Sequence, residues 1–384
     1  MSEKTGEDQT FDKVAEIKSG LKEMGSDIRS KLTLVDNPDD LFHCYEKAEQ
    51  AVTRILEKGY GKDEVIVDYT GGTKNMSVAI ALASINHGFS FSYVGGKERT
   101  KGGVGVVING YENVYSSVNP WDFLALEEKK RIAILFNQYQ FKAARNLISN
   151  LLEKTTVHKS LFKKLGFLID GYYYWDQFRY RDAIDSFKRA KIDEMIEVDD
   201  KSIRNLAQGT GERIGFLNEL VNKGEKPSLQ LIQDMFSNAE RRFEEGTVDD
   251  AILRLYRLVE MIAQEMLFSH YGIDVSDVRA DKIPAELKDS FMKNYKSERD
   301  GKIKIPMTAA YRFLEALGNN VGKLYKANES RFLDIQKARN YSYLAHGFEN
   351  TTDKTYQKLK DFVLALKAFE PNESAVFPKI ELQK

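Results

Sequence analysis

The sequence predicts an α/β segment followed by a long all-α remainder, and three observations carry that prediction. Val65-Ile66-Val67 is a β-branched run of the kind found in buried parallel strands. It leads into a turn at Gly71-Gly72 and an Ala- and Ile-rich helix reaching His87, after which Phe89 to Val94 reads as the next strand. Beyond Trp121 strand signals give way to long amphipathic helical segments. Strand, helix, strand is a βαβ unit, so a parallel Rossmann-like sheet is expected in the N-terminal part.

Taken in order, residues 1–30 read as a polar lead-in and a modestly amphipathic helix, Phe11 to Lys31. Leu32 to Val35 is a short apolar run. Asn37-Pro38 is expected to open a helix with proline at its first position. Leu41, Tyr45, Ala48, Val52 and Ile55 continue it at helical spacing, and Gly59 to Gly61 end it. Gly102 to Ile108 and Asn113 to Val118 read as two more strands, and Asn119-Pro120 closes the α/β part. The expected organisation is 1–120 as the Rossmann-like domain, 121–224 as a helical linker region and 225–384 as a C-terminal all-α domain.

Within the helical region three stretches share an aromatic, a turn four or five residues on, and an alanine in the next helix. They are Phe136…Ala144, Trp175…Ala183 and Phe243…Ala251, resembling degenerate TPR-type hairpins. The need of any paired helices for small contact residues explains them equally well. Tyr172-Tyr173-Tyr174-Trp175 reads as inter-helix packing rather than a base-stacking surface. Asp249 to Phe268 is an amphipathic helix with Ile252, Leu255, Val259, Ile262 and Met266 on one side. Arg254 and Arg257 read as structural, the latter pairing with Glu260 one turn on.

Composition narrows the function classes. With 57 Lys and Arg against 58 Asp and Glu, no global basic field recruits nucleic acid, so any such site is a local cluster. Lys326, Arg331 and Lys337 are candidates for one, and a solvated helix face accounts for them nearly as well. Cys44 is the only cysteine, which excludes an internal disulfide and fits a reducing cytoplasm. One cysteine and five scattered histidines give no metal-ligand spacing. The polar N-terminus lacks a secretory core and no apolar run approaches a membrane span, so a cytoplasmic protein with no membrane partner is expected.

Two stretches carry chemistry. Asn328 to Gly347 is expected to be a helix, capped by Asn328 and stopped by Gly347. Arg339 and His346 lie seven residues apart, which returns them to nearly one azimuth roughly 10 Å apart along the axis. Leu333, Ala338, Tyr341, Leu344 and Ala345 form the face expected to pack on the core, while Phe332 and Ile335 share the Arg/His face and read as a subunit interface. A guanidinium beside an imidazole suits RNA cleavage by its own 2′-hydroxyl: Arg339 holds the scissile phosphate and His346 moves a proton near neutral pH. By spacing alone, a surface arginine and a capping histidine near a helix C-terminus are the better reading. The full string Arg339-Asn340-Tyr341-Ser342-Tyr343-Leu344-Ala345-His346-Gly347, however, resembles the R-N-x-S-x-L-A-H-G signature of HEPN ribonucleases, in particular those fused to a CRISPR-associated Rossmann-fold (CARF) sensor in type III CRISPR systems.

The second stretch is Asp68-Tyr69-Thr70-Gly71-Gly72-Thr73-Lys74-Asn75-Met76. It sits at a strand's carboxyl end and a helix's start, where backbone N–H groups and the helix dipole favour phosphate. It is neither a Walker loop nor a dinucleotide fingerprint, and taken by itself an ordinary tight βα turn is the better reading. Yet it is similar to the D-x-T-G-G-T-K-x-M segment that lines the ligand pocket of CARF domains in the same effectors. No hydrophobic strand precedes Phe11 to Lys31, so the first strand usual in that domain is missing from this sequence.

The joint resemblance implies a cytoplasmic homodimer with a CARF sensor, a helical middle and a HEPN ribonuclease. It implies catalytic Arg339, His346 and Asn340, the last orienting one of the other two, and no metal. It implies Thr70, Gly71, Gly72, Thr73, Lys74 and Asn75 as contacts to a cyclic oligoadenylate activator, tetra- or hexa-adenylate, with single-stranded RNA as substrate. Two other readings stay open: a ligand-binding regulator with an inactive HEPN domain, and a TPR-like helical interaction protein.

Overall fold

The computed structural model describes residues 31, 33–100, 107, 108, 110–155, 159–197, 200–224, 226–340, 348 and 351–381. The expected helix from Phe11 and most of the strand expected over 102–108 lie outside them. The chain forms two compact units, Met1–Glu127 with Asn150–Lys159, and Glu128–Ser149 with Ser160–Lys384.

In the first unit a helix, Leu41–Glu57, precedes strand β1 (Ile66–Asp68), the helix Lys74–Ser84, β2 (Ser90–Gly96) and β3 (Glu112–Val118). The first of these helices starts later than Asn37-Pro38 because Asp40 caps it: its carboxylate accepts the N–H groups of Phe42 and His43 at 2.9 and 3.2 Å. β1 and β2 are parallel, with Val67 opposite Phe91, as the βαβ reading requires. β3 departs from the expected parallel sheet. It runs antiparallel to β2, Tyr93 facing Tyr115, because Arg99 bridges antiparallel to Val107 and the chain doubles back as a hairpin rather than crossing over.

The core of this unit lies on one side of the sheet. Val65, Val67, Phe89 and Phe91 pack with Val52 and Ala83 from the two helices. On the other side Ile66 and Val114 are 67% and 66% exposed. The β-branched run is therefore buried on alternate residues and not throughout, which corrects the expectation of a strand enclosed on both faces.

The second unit is helical, with one core cluster running from Ile232 to Phe369 and further buried apolar residues, Tyr172, Trp175 and Phe377 among them, outside it. The three aromatic–turn–alanine stretches share one geometry. Tyr139, Phe178 and Gly246 occupy the left-handed region with φ of 59°, 59° and 79°. In each case that residue's N–H donates three residues back and the next N–H donates five back, to Leu135, Tyr174 and Arg242 respectively. This is the Schellman closure of a helix. Ala144, Ala183 and Ala251 are all fully buried where the second helix of each pair meets the first. A further tight pair, Met307–Ala316 with Asn320–Ala327, closes the same way at Gly318. Its contact residue is Gly322, where a Cβ would fall 2.3 Å from the Glu315 nitrogen.

A buried polar spine runs along the helix Leu229–Glu244. Asp234 accepts from the Trp175 indole and the Tyr180 hydroxyl, each at 2.8 Å. Asp176 receives Arg241 at 2.9 Å and Arg242, and Asn238 donates to the Asp176 carbonyl at 3.0 Å. The Arg241 guanidinium sits 3.8 Å over the ring of Phe377, which also packs on Tyr172 and Trp175. Past Phe377 the chain is held by Asn137, which exchanges two hydrogen bonds with the Ile380 backbone at 2.7 and 2.9 Å.

Phe377 is 3% exposed. Phe377→Ala should destabilise the helical unit by about 3–5 kcal/mol through the cavity it leaves, read as a lowered urea midpoint of the helical far-UV signal.

Candidate functional site

The Arg/His motif begins at the end of the helix Glu329–Asn340, whose last two described positions are Arg339 and Asn340. The Arg339 side chain, and Tyr341 to Gly347 with His346, lie outside the described residues. Asn328 does open this helix, its carbonyl accepting the Phe332 N–H at 3.1 Å. Its side chain does not act as the expected N-cap, however. It donates to the Leu324 carbonyl at 2.9 Å and closes the preceding helix.

At Phe332, Leu333 and Ile335 the helix faces the reverse of the sequence reading. Phe332 and Ile335 are fully buried in the chain's own core, with Phe332 stacked 5.8 Å from Tyr256 and 4.9 Å from Phe362. They are thus not a subunit interface. Leu333, expected inside, is 42% exposed. The local pattern could not distinguish two apolar stripes; the aromatic ring cluster of Tyr256, Tyr325 and Phe362 selects the larger phenyl group. Asp334, Lys337 and Asn340 are likewise exposed, so the outward face sets one apolar residue among charged and amide ones. Gln336 donates to the Tyr256 hydroxyl at 2.9 Å, fixing the helix in rotation. Of the local cations, Lys326 pairs with Glu329 at 2.7 Å and Arg331 donates to the Lys358 carbonyl at 3.3 Å. Arg254 contacts Asn238 and Asp250, and Arg257 pairs with Glu260 at 2.8 Å, both structural roles.

The loop Thr70–Thr73 connects β1 to the helix Lys74–Ser84. Gly72 has φ +86°, a backbone conformation that glycine adopts without strain. Thr73 caps the helix, accepting the Met76 N–H at 3.3 Å while its hydroxyl donates to the Pro38 carbonyl at 2.9 Å. The Asn75 amide donates to the Asp39 carbonyl at 2.7 Å. The Thr70 hydroxyl oxygen accepts the Val94 N–H at 2.7 Å, extending the pairing of β1 with β2 past the strand's end. Of the six residues expected to contact ligand, these three hold the loop's shape. Gly71, Gly72 and Lys74 are exposed at the helix start, an arrangement suited to an anion.

Sequence reasoning missed Ser77, whose hydroxyl donates to the carbonyls of Tyr69 and Gly71, each at 3.2 Å. A serine one turn into a helix gives no signal of that role. Asp68 was also missed. It accepts the Thr70 N–H at 3.0 Å. Burial acts to raise its carboxyl, but the bonds from Thr70 and Ser92 outweigh it and hold the group below the usual carboxylate range.

Known proteins share this architecture. Residues 221–370 match the family model described as the Csm6 HEPN domain, and residues 124–211 that of the Csm6 6H domain. Positions 339 and 346 fall within the first match. A search of curated proteins gave no match. Among solved structures the chain is similar to Enterococcus italicus Csm6 bound to cyclic hexa-2′-fluoro-hexa-dAMP, with 15% identity and a TM-score of 0.53 over 88% of this chain and 75% of that one. At that identity the likeness is one of fold.

Thr73→Ala should cost about 1 kcal/mol through loss of the cap, measured by chemical denaturation. Because Asp68 is held below its ordinary value, it stabilises the fold at neutral pH, and that contribution fades as pH falls from the ordinary carboxylate value through the lowered one. The stability difference between the native chain and Asp68→Asn should therefore shrink between pH 7 and pH 3, as read from urea midpoints across that range.

Proposed function

We propose, from the premise that the chain is a Csm6-like CARF–HEPN effector, that it is an endoribonuclease switched on by a cyclic oligoadenylate in type III CRISPR defence. The observation that carries this reading is the position of the Arg339–His346 motif inside the stretch that matches the Csm6 HEPN domain. The likeness in fold to a Csm6 bound to a cyclic hexa-dAMP analogue supports the activator class.

In this mechanism the RNA 2′-hydroxyl attacks the adjacent phosphorus and the P–O5′ bond breaks. The products are a 2′,3′-cyclic phosphate and a 5′-hydroxyl. Arg339 binds the phosphate and stabilises its developing charge, His346 takes up or delivers the proton, and Asn340 orients one of the two. No metal takes part. Two chains meet about a two-fold axis so that two motifs form one cleft. In the sensor, the backbone of Gly71 and Gly72 with Lys74 receives activator phosphates, while Thr70, Thr73 and Asn75 keep the loop in shape. Ligand binds the aligned dimer more tightly and so shifts the population toward it. No helix among the described residues is long and apolar enough to cross a membrane.

His346→Ala should abolish cleavage of single-stranded RNA, at least 100-fold by a general-acid/base estimate of about 10²–10⁴, with an unchanged circular dichroism spectrum. Full activity in that variant overturns the mechanism. Lys74→Ala should raise the concentration of cyclic hexa-adenylate needed for half-activation while sparing basal cleavage. Cleavage should persist in chelator, and strict dependence on a divalent ion would favour another chemistry.

A further inference from the structure

We infer that Tyr69, Tyr93 and Tyr115 form a stacking platform for an adenine ring of the activator, a role that rests on the sensor reading above. The three rings come from the three strands of the sheet or their ends. Tyr69 and Tyr93 are 5.4 Å apart with planes 21° from parallel, and Tyr93 and Tyr115 follow at 6.4 Å and 25°. Tyr93 and Tyr115 are direct cross-strand partners. The rings occupy the same side of the sheet as Val67 and Phe91, which the helices cover, but continue it past that cover. Val67 and Phe91 are buried, Tyr69 and Tyr93 half-buried, and Tyr115 is 54% exposed.

Two features hold the rings flat. A Cβ on Gly95 would lie 3.0 Å from the Tyr93 ring and 3.1 Å from that of Tyr115, so both lie back across its backbone. The Arg99 guanidinium donates to the Tyr93 hydroxyl at 3.3 Å. An aromatic surface that is ordered by its own chain and left open on its outer ring is suited to take one more flat group.

The platform also adjoins the phosphate loop. Tyr69 directly precedes Thr70, and the Thr70 hydroxyl accepts the N–H of Val94, the residue after Tyr93. A nucleotide whose phosphate meets Gly71, Gly72 and Lys74 thus has two tyrosine rings, Tyr69 and Tyr93, each one residue from an anchor point of the loop, with Tyr115 stacked next in line. Because stacking tolerates any base, the platform supplies affinity, and preference for adenine requires other contacts.

The test uses the full chain and cyclic hexa-adenylate carrying 2-aminopurine at one position, whose fluorescence falls when the base stacks. The native chain should bind and quench it. Tyr115→Ala, and Tyr115→Ile, which keeps strand propensity without a ring, should bind about tenfold to a hundredfold more weakly with the quench reduced. Tyr115→Phe and Tyr115→Trp should retain both, and Val114→Ser, on the same strand but the opposite face, should match the native chain. Native binding by Tyr115→Ile, or equal weakening by Tyr115→Phe, overturns the platform. If Lys74→Ala weakens binding while both Tyr115 variants without a ring do not, the sensor reading stands and the platform alone falls. If the native chain fails to bind, the sensor reading falls and the platform with it.

Discussion

The helical unit depends on one electrostatic constraint: charges taken out of water must be paired there. Asp176 and Arg241 lie almost wholly inside it and pair with each other, since an unpaired charge in such a place is strongly destabilising, while the buried Asp234 carboxyl, pushed up by burial, is satisfied by two neutral donors. The requirement fixes how the helix Leu229–Glu244 meets Lys159–Asp176, because only one rotation brings Arg241 to Asp176 and Asp234 to Trp175 together. The apolar contacts follow. Once Arg241 is placed, its flat face receives the ring of Phe377, and the last described residues are drawn back to Asn137. Within the second unit, buried polar bonds from Trp175 and Asp176 to Asp234 and Arg241 thereby tie the stretch matching the 6H domain to the stretch matching the HEPN domain.

The two candidate sites are built on contrasting principles. The Glu329–Asn340 helix is positioned by apolar anchors, Phe332 and Ile335, which sink into the core and leave its far face to solvent. The Thr70–Lys74 loop is positioned by polar bonds to its own chain, through Thr73 to Pro38, Asn75 to Asp39, and Ser77 to Tyr69 and Gly71. A loop held this way keeps its exposed N–H groups oriented before any anion arrives, which lowers the ordering cost of binding. The same hydroxyls and amides are thereby occupied, and the residues left open are glycines and one lysine.

Much of the architecture was legible in the residues. The βαβ pattern locates β1, β2 and the helix between them, and the aromatic–turn–alanine stretches locate three helix hairpins with a shared closure. The hairpin at Gly318 was not legible, because Gly322 takes the place of alanine at its contact and breaks the pattern. The direction of β3 was hidden too, since it is set by the Arg99–Val107 bridge and not by any strand propensity.

By itself the sequence determined element type, the order of the segments and the chemical identity of the motifs, since these depend on local periodicity and on side chains carried in fixed succession. Tertiary structure alone decided which of two apolar stripes on the Glu329–Asn340 helix faces inward, because Phe332 and Leu333 are both suitable and only the rings waiting in the core discriminate. It likewise decided that Thr73 and Asn75 bond to the backbone at Pro38 and Asp39, partners more than thirty residues away. A hydroxyl or an amide declares its capacity to bond, and the fold supplies the atom it bonds to.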